Sequence, residues 1–266
     1  MLAHEVHGSG EPLVLVHGLT HRRQAWYPVL DQLAEQRQVI LFDLPGHGES
    51  PDLVVRDGDV QASLRAALEL LFAELALESP HIAGNSLGGR IALEAAADGL
   101  VRSATTLSPA AFWWGAPDFL YVRTVFTWLT TSAHLMAPAV PMLARSPRAR
   151  RVMGAMVSDR SDLIPHDVFV EDLRGMRRAI PAMKTIFPAA EPFAATVPSD
   201  VPITIAWGEH DRILLPYHAA IARRRMPQAQ HVWLRGCGHV PMADDPLQVA
   251  QVLLDGSAPA HAAKVG

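Results

Sequence analysis

The chain has 266 residues, 49% of them hydrophobic and 19% charged, which is enough apolar material to close a sizeable core in one large domain. Its formal net charge of -4 gives no long-range attraction to phosphate backbones, so nucleic acid is excluded as an expected partner. A single cysteine, Cys237, excludes an internal disulfide and, without ligand-spaced companions, a cysteine zinc site, so a reducing compartment is expected.

The first residues, Met1-Leu2-Ala3-His4-Glu5-Val6-His7-Gly8, lack the basic start and apolar run of a secretory signal, and a cytoplasmic location is the expectation. Leu13-Val14-Leu15-Val16 is a β-branched run stopped by His17-Gly18, and Gln38-Val39-Ile40-Leu41-Phe42 is another stopped by Asp43-Leu44-Pro45-Gly46. Between them Trp26, Leu30, Leu33 and Ala34 recur at helical spacing, as the crossover helix of a parallel βαβ unit requires. Val60, Leu64, Leu68, Leu71 and Leu75 trace a second helical face, with Asp57 and Asp59 as capping candidates.

His81-Ile82-Ala83 then runs into Gly84-Asn85-Ser86-Leu87-Gly88, and the alanine-rich stretch to Ala97 reads as a helix ended by Asp98-Gly99. After a strand at Ser103–Leu107 the alternation breaks, and residues 109–199, rich in Trp, Met, Pro and Arg, form an insertion in a core made of 1–108 and 200–256. Inside it, 124–144 is uncharged and about as long as the ~20 residues of a membrane span, but its threonines, Pro138 and Pro141 argue against an integral span. Arg145, Arg148, Arg150 and Arg151 read as a solvated helix face. Alternation resumes with a strand at Ile203-Thr204-Ile205-Ala206-Trp207, a helix at Tyr217–Arg225, a strand at His231-Val232-Trp233-Leu234 and a helix over 246–254, leaving 257–266 as a disordered tail.

A Gly-x-Ser-x-Gly turn between strand and helix needs its glycines for close backbone approach and leaves the hydroxyl exposed above the sheet, which makes Ser86 the candidate nucleophile. A serine hydroxyl is a poor nucleophile until a base takes its proton, and that base needs an orienting carboxylate. Asp211, in Trp207-Gly208-Glu209-His210-Asp211, and His239, in Gly236-Cys237-Gly238-His239, both follow predicted strands directly, where open α/β sheets gather functional groups. Asp211 is therefore the candidate acid and His239 the candidate base. The backbone N–H groups of Leu87 and Leu19 are the candidate oxyanion donors. The thirteen histidines give no ligand-spaced set, His17 with His21 being an isolated pair, so no metal is expected. His47 and His210 read as loop residues hydrogen-bonding the backbone, and Cys237 as structural.

From Leu13 to about Leu254 the sequence resembles the α/β-hydrolase family. His17-Gly18 with Trp26 is similar to its oxyanion loop, Asp43-Leu44-Pro45-Gly46-His47-Gly48-Glu49-Ser50 to its Asp-x-Pro-Gly-x-Gly-x-Ser turn, and Gly84-Asn85-Ser86-Leu87-Gly88 to its nucleophile elbow. Gly238-His239-Val240-Pro241 with Asp244 resembles its histidine loop, with aspartate where glutamate is more usual. Two further departures are Pro216, one residue farther from Asp211 than is typical, and an N-terminus too short for the full set of early antiparallel strands.

The resemblance implies an α/β-hydrolase fold, a mostly parallel sheet flanked by helices, with 109–199 as a helical cap. Of the cap's aromatic residues, Trp113, Trp114, Phe119 and Trp128 are expected in the substrate pocket, and Phe112, Tyr121 and Phe126 are further candidates. It implies a cofactor-free serine hydrolase acting on a small to medium, moderately apolar carboxylic ester or lactone, and no arginine is expected to be fixed at the elbow to clamp an anion. The similar Gly-Asn-Ser-x-Gly-Gly elbow of carbon–carbon bond hydrolases of ring-cleavage products makes that the alternative activity. A ligand-binding receptor or scaffold on the same fold is the non-enzymatic alternative. Serine in place of aspartate at the elbow argues against dehalogenation and epoxide hydrolysis.

Overall fold

A computed structural model describes residues 1–258. In chain order its elements are β1 (His4–His7), β2 (Pro12–Val16), a 3-10 turn (Arg23–Trp26) leading into α1 (Tyr27–Ala34), β3 (Gln38–Phe42), α2 (Val60–Glu74), β4 (His81–Asn85), α3 (Leu87–Ala97) and β5 (Ser103–Leu107). Then come α4 (Ala116–Met136), α5 (Val140–Leu143), α6 (Pro147–Gly154), α7 (His166–Arg178) and α8 (Ile180–Ile186), followed by β6 (Ile203–Gly208), α9 (Tyr217–Arg225), β7 (Gln230–Leu234) and α10 (Pro246–Gly256).

The strands form one seven-stranded sheet in the order β1-β3-β2-β4-β5-β6-β7, with β1 antiparallel to β3 and every other pairing parallel. The interior strands are buried on both faces, so their side chains sort by alternation into two cores. Val14 and Val16 face Leu64, Leu68 and Ile91 on one side, while Leu13 and Leu15 face Trp26, Leu33 and Leu253 on the other. Asp59 caps α2 by accepting from the Ala62 amide at 2.9 Å. Asp57 instead takes a left-handed conformation at φ 52 in the preceding turn.

Five helices lie between β5 and β6, and Val140, Ala144, Phe169 and Val170 give them a small core of their own. No helix among the described residues is long and apolar enough to cross a membrane, and α4 buries Val122, Val125, Phe126 and Leu129 while leaving Trp128 and Leu135 exposed. The arginine cluster is not uniformly solvated: Arg150 is buried and donates to the carbonyls of Ala144 at 2.7 Å and Asp162 at 2.8 Å, because it lies on the inward face of α6. Of the expected tail, Ser257 is buried and bound by Arg37 through its carbonyl at 2.9 Å, and the Ala258 amide donates to the Asp255 carbonyl at 3.2 Å; residues 259–266 of that expectation lie outside the described residues.

Beneath the β2 and β3 loops, His17 and His47 lie with ring centroids 5.2 Å apart, both fully buried. The Leu44 amide donates to His17 Nε2 at 3.0 Å, so the His17 proton sits on Nδ1 and is donated to the Gly18 carbonyl at 2.8 Å. Burial, and for His17 also its neighbour His47, holds both imidazoles neutral, with His17 well below the ordinary histidine range and His47 lowered to about 4. Their folded-state proton affinity lies below that of the unfolded chain, so the stability they confer is complete above about pH 6.5 and is lost as pH falls. Between pH 7 and 5, His47 alone is expected to cost on the order of 2 kcal/mol of unfolding free energy. Urea unfolding at the two pH values checks this: the midpoint should drop, and a His47→Gln variant should drop less.

Candidate active site

The parallel strands end at one edge, where register pairs Val16 with Gly84, Asn85 with Leu107 and Gly208 with Leu234, so the loops after β2, β4, β6 and β7 converge. Ser86 sits directly between β4 and α3 at φ 56, ψ -114, a conformation unfavourable for a residue with a Cβ. The turn is held by the Ser86 amide donating to the Leu107 carbonyl and the Ala110 amide donating to the Ser86 carbonyl, each at 2.9 Å. Its glycines are required by space: a Cβ on Gly84 would collide with the Gly88 carbonyl, and one on Gly88 with the Val16 carbonyl.

Asp211 is buried, and its Oδ1 accepts from the amides of Ile213 and Leu214, each at 2.9 Å. That fixes the carboxylate so that Oδ2 faces His239 Nδ1 at 2.8 Å. His239 Nε2 is buried with no hydrogen-bond partner among the described residues, in a cavity of about 20 Å³ also lined by Ser86, Gly18, Leu19, Thr20 and His21. The Leu19 and Leu87 amides donate no hydrogen bond among the described residues, Leu87 being the first residue of α3, where helix N–H groups are unpaired.

A second small cavity of about 50 Å³ adjoins Ser86 and is lined by Leu87, Trp113, Phe119, Val122, Phe126 and Phe187, among others. A third, of about 290 Å³, lies among α4, α6 and α7 and includes Trp128. Trp113 and Phe119 thus meet Ser86 in one cavity, and Trp128 lies in another. Trp114 lines none of the three: it stands in the turn before α4, 70% exposed, its amide donating to Asp118 Oδ2 at 2.6 Å.

Arg90 and Asn85 contribute without having been singled out by their sequence pattern. Arg90, expected nowhere near the elbow as a fixed cation, lines the cavity beside Ser86, because it follows one turn later on α3. Its guanidinium is paired with Glu94 Oε1 at 2.5 Å and also donates to the Glu191 carbonyl. Asn85 Nδ2 donates to the Leu107 carbonyl at 3.0 Å and the His239 carbonyl at 2.9 Å, tying the elbow to the histidine loop. His210 does not bond the backbone through its ring; Nδ1 pairs with Asp159 Oδ2 at 2.7 Å, because the segment after α6 comes down over the acid loop. Cys237 is buried with its thiol pushed up to about 12 by burial and by Asp244, so it stays protonated at neutral pH.

Asp244 joins the histidine loop to the inserted segment. It accepts from the Gly238 amide at 2.7 Å, from Ser158 Oγ at 2.6 Å, and from the amides of Asp159 and Arg160 at 3.1 and 2.7 Å. Asp244→Ala would strand these donors in a nearly closed environment, so a loss of about 2 to 4 kcal/mol in unfolding free energy is expected, measurable by denaturant titration. Asp244→Asn, which keeps one acceptor oxygen, should lose less.

With this geometry in hand, known proteins provide a comparison. The sequence profile described as "Alpha/beta hydrolase family" matches residues 13–252. "Lipase 3" of Moraxella sp. (strain TA144) is 26% identical over 246 residues, covering 89% of this chain and 74% of that protein. "Lipase 1" of Psychrobacter immobilis is 27% identical over 245 residues, covering 89% and 73%. Among solved structures, a thermophilic esterase from Thermogutta terrifontis matches with a TM-score of 0.67 at 22% identity, over 96% of this chain and 92% of that one, a likeness of fold.

Proposed function

This chain belongs to the alpha/beta hydrolase family, and we propose that it hydrolyses a small to medium, moderately apolar carboxylic ester or lactone through an acyl-enzyme on Ser86. The observation that carries the reading is His239, bound through Nδ1 to Asp211 and, among the described residues, unpartnered at Nε2 in the cavity that Ser86 lines.

In the proposed cycle His239 Nε2 takes the Ser86 proton as Oγ attacks the ester carbonyl, and Asp211 holds the resulting imidazolium. The oxyanion is received by the Leu19 and Leu87 amides, whose N–H groups are committed to no other acceptor among the described residues. Departure of the alcohol, protonated by His239, leaves the acyl-enzyme, and water admitted to the same histidine releases the acid. The five helices between β5 and β6 act as a cap whose apolar walls exclude water around this chemistry. The names of the two lipases and the esterase support an ester as the substrate class.

A carbon–carbon hydrolase would need a receptor for an anionic dienoic diketo acid. The arginine in the cavity wall, Arg90, is already neutralised by Glu94, which favours an uncharged substrate. Assaying the purified protein on short-chain esters, a lactone and a dienoic diketo acid separates the readings. Turnover of the esters or the lactone is expected; turnover of the diketo acid alone would replace this proposal with carbon–carbon cleavage, and turnover of none would overturn it.

A further inference from the structure

The two cavities flanking Ser86 differ in size and in their relation to His239. The one of about 50 Å³ contains Ser86, Leu19 and Leu87 but not His239. On the other side, the catalytic cavity that holds His239 adjoins the one of about 290 Å³, and Thr20, His21, Leu129, Val157, Met176 and Val240 line both. The larger cavity reaches the surface between Trp128, Met136 and Val152, all exposed, so its mouth has an apolar rim.

Which side takes which half of an ester follows from proton transfer. The leaving oxygen must face the imidazole that protonates it, so the alcohol moiety lies on the His239 side and the acyl moiety on the other. An apolar cavity of about 150 Å³ accommodates benzene, so the large cavity accommodates on the order of ten carbon atoms and the small one about two to four. We propose, on the basis of the ester-hydrolase reading, that the preferred substrates are esters of a short acid with a large apolar alcohol, the alcohol chain occupying the cavity among α4, α6 and α7.

In the acylation step the bond from Ser86 Oγ to the acyl carbon forms and the bond from that carbon to the alcohol oxygen breaks. The proton leaves Ser86 Oγ, passes through His239 Nε2 and ends on the alcohol oxygen, so the free long-chain alcohol departs through the large cavity. Water then adds to the short acyl group, giving the acid and restoring the serine hydroxyl.

Octyl acetate and methyl nonanoate are isomers with the same atoms distributed oppositely about the ester, which makes them the direct test. The expected result is a kcat/KM for octyl acetate at least about tenfold higher, since several methylenes are buried only in that orientation. Ala133→Phe, which narrows the large cavity, should reduce that ratio; Ser132→Leu, at the neighbouring lining position, provides the same test should the phenylalanine not fold. Equal or reversed preference in the native protein, or a ratio unchanged in a folded cavity variant, would overturn the assignment of sides while leaving the hydrolase intact. Absence of turnover of both isomers together with absence of fluorophosphonate labelling at Ser86 would overturn the ester-hydrolase reading itself.

Discussion

Ser86→Ala is expected to lower kcat on a short-chain ester about 10⁴- to 10⁶-fold, because it removes the proposed nucleophile while leaving the proposed oxyanion amides and the neighbouring cavities to supply only residual acceleration. The fold should survive the change. Alanine retains a Cβ at φ 56, so it bears the same backbone strain as serine, and the hydroxyl makes no hydrogen bond that the fold depends on among the described residues. Ser86→Gly should be equally inactive yet more stable, by about 1 kcal/mol or somewhat more, since glycine occupies that conformation without the Cβ clash. An inactive variant with a raised unfolding midpoint would show that the strain at the elbow is retained for chemistry. Turnover by Ser86→Ala above about one per cent of native would place the nucleophile elsewhere.

Asp211→Asn should cost about 10³- to 10⁴-fold in kcat at neutral pH, with little change in stability. The reason lies in the fixed environment of the carboxylate. The Ile213 and Leu214 amides both donate to Oδ1, so an asparagine must present its carbonyl oxygen there and turn its NH₂ towards His239 Nδ1. Nδ1 would then have to accept, the imidazole proton would move to Nε2, and that nitrogen could no longer take the proton of Ser86. Full activity of a folded Asp211→Asn variant would remove Asp211 from the site.

The parts of the molecule legible in sequence are those governed by local periodicity and turn chemistry. β3, α3, β5 and α9 are predicted at their observed limits, because Gly, Pro and Asp punctuate them and their apolar positions keep one period. The short strand β1 is missed, since His4-Glu5-Val6-His7 carries one aliphatic residue and owes its conformation to pairing with β3. The helices between β5 and β6 carry no separate periodic signatures, because their apolar residues serve three purposes at once: a small core of their own, packing on the sheet and the walls of cavities.

The site divides along the same line. Ser86, Asp211 and His239 are each marked by a loop directly after a strand, so their convergence follows from strand order. What sequence spacing does not encode is the reach between loops: Asn85 bonding the His239 carbonyl, or Asp244 bonding a segment over eighty residues earlier. Trp114 illustrates the opposite failing. The four aromatic residues expected in the pocket carry the same apolar signal, yet the turn before α4 directs this indole to solvent while Trp113 and Phe119 meet Ser86 in a cavity.

If Ser86 is an activated nucleophile, the folded protein reacts covalently there with an electrophile that the unfolded chain does not attack. Treatment with a fluorophosphonate followed by peptide mapping should place one adduct on Ser86, with labelling lost in His239→Ala and in heat-unfolded protein. An adduct on another residue, or none on folded protein, would contradict the account.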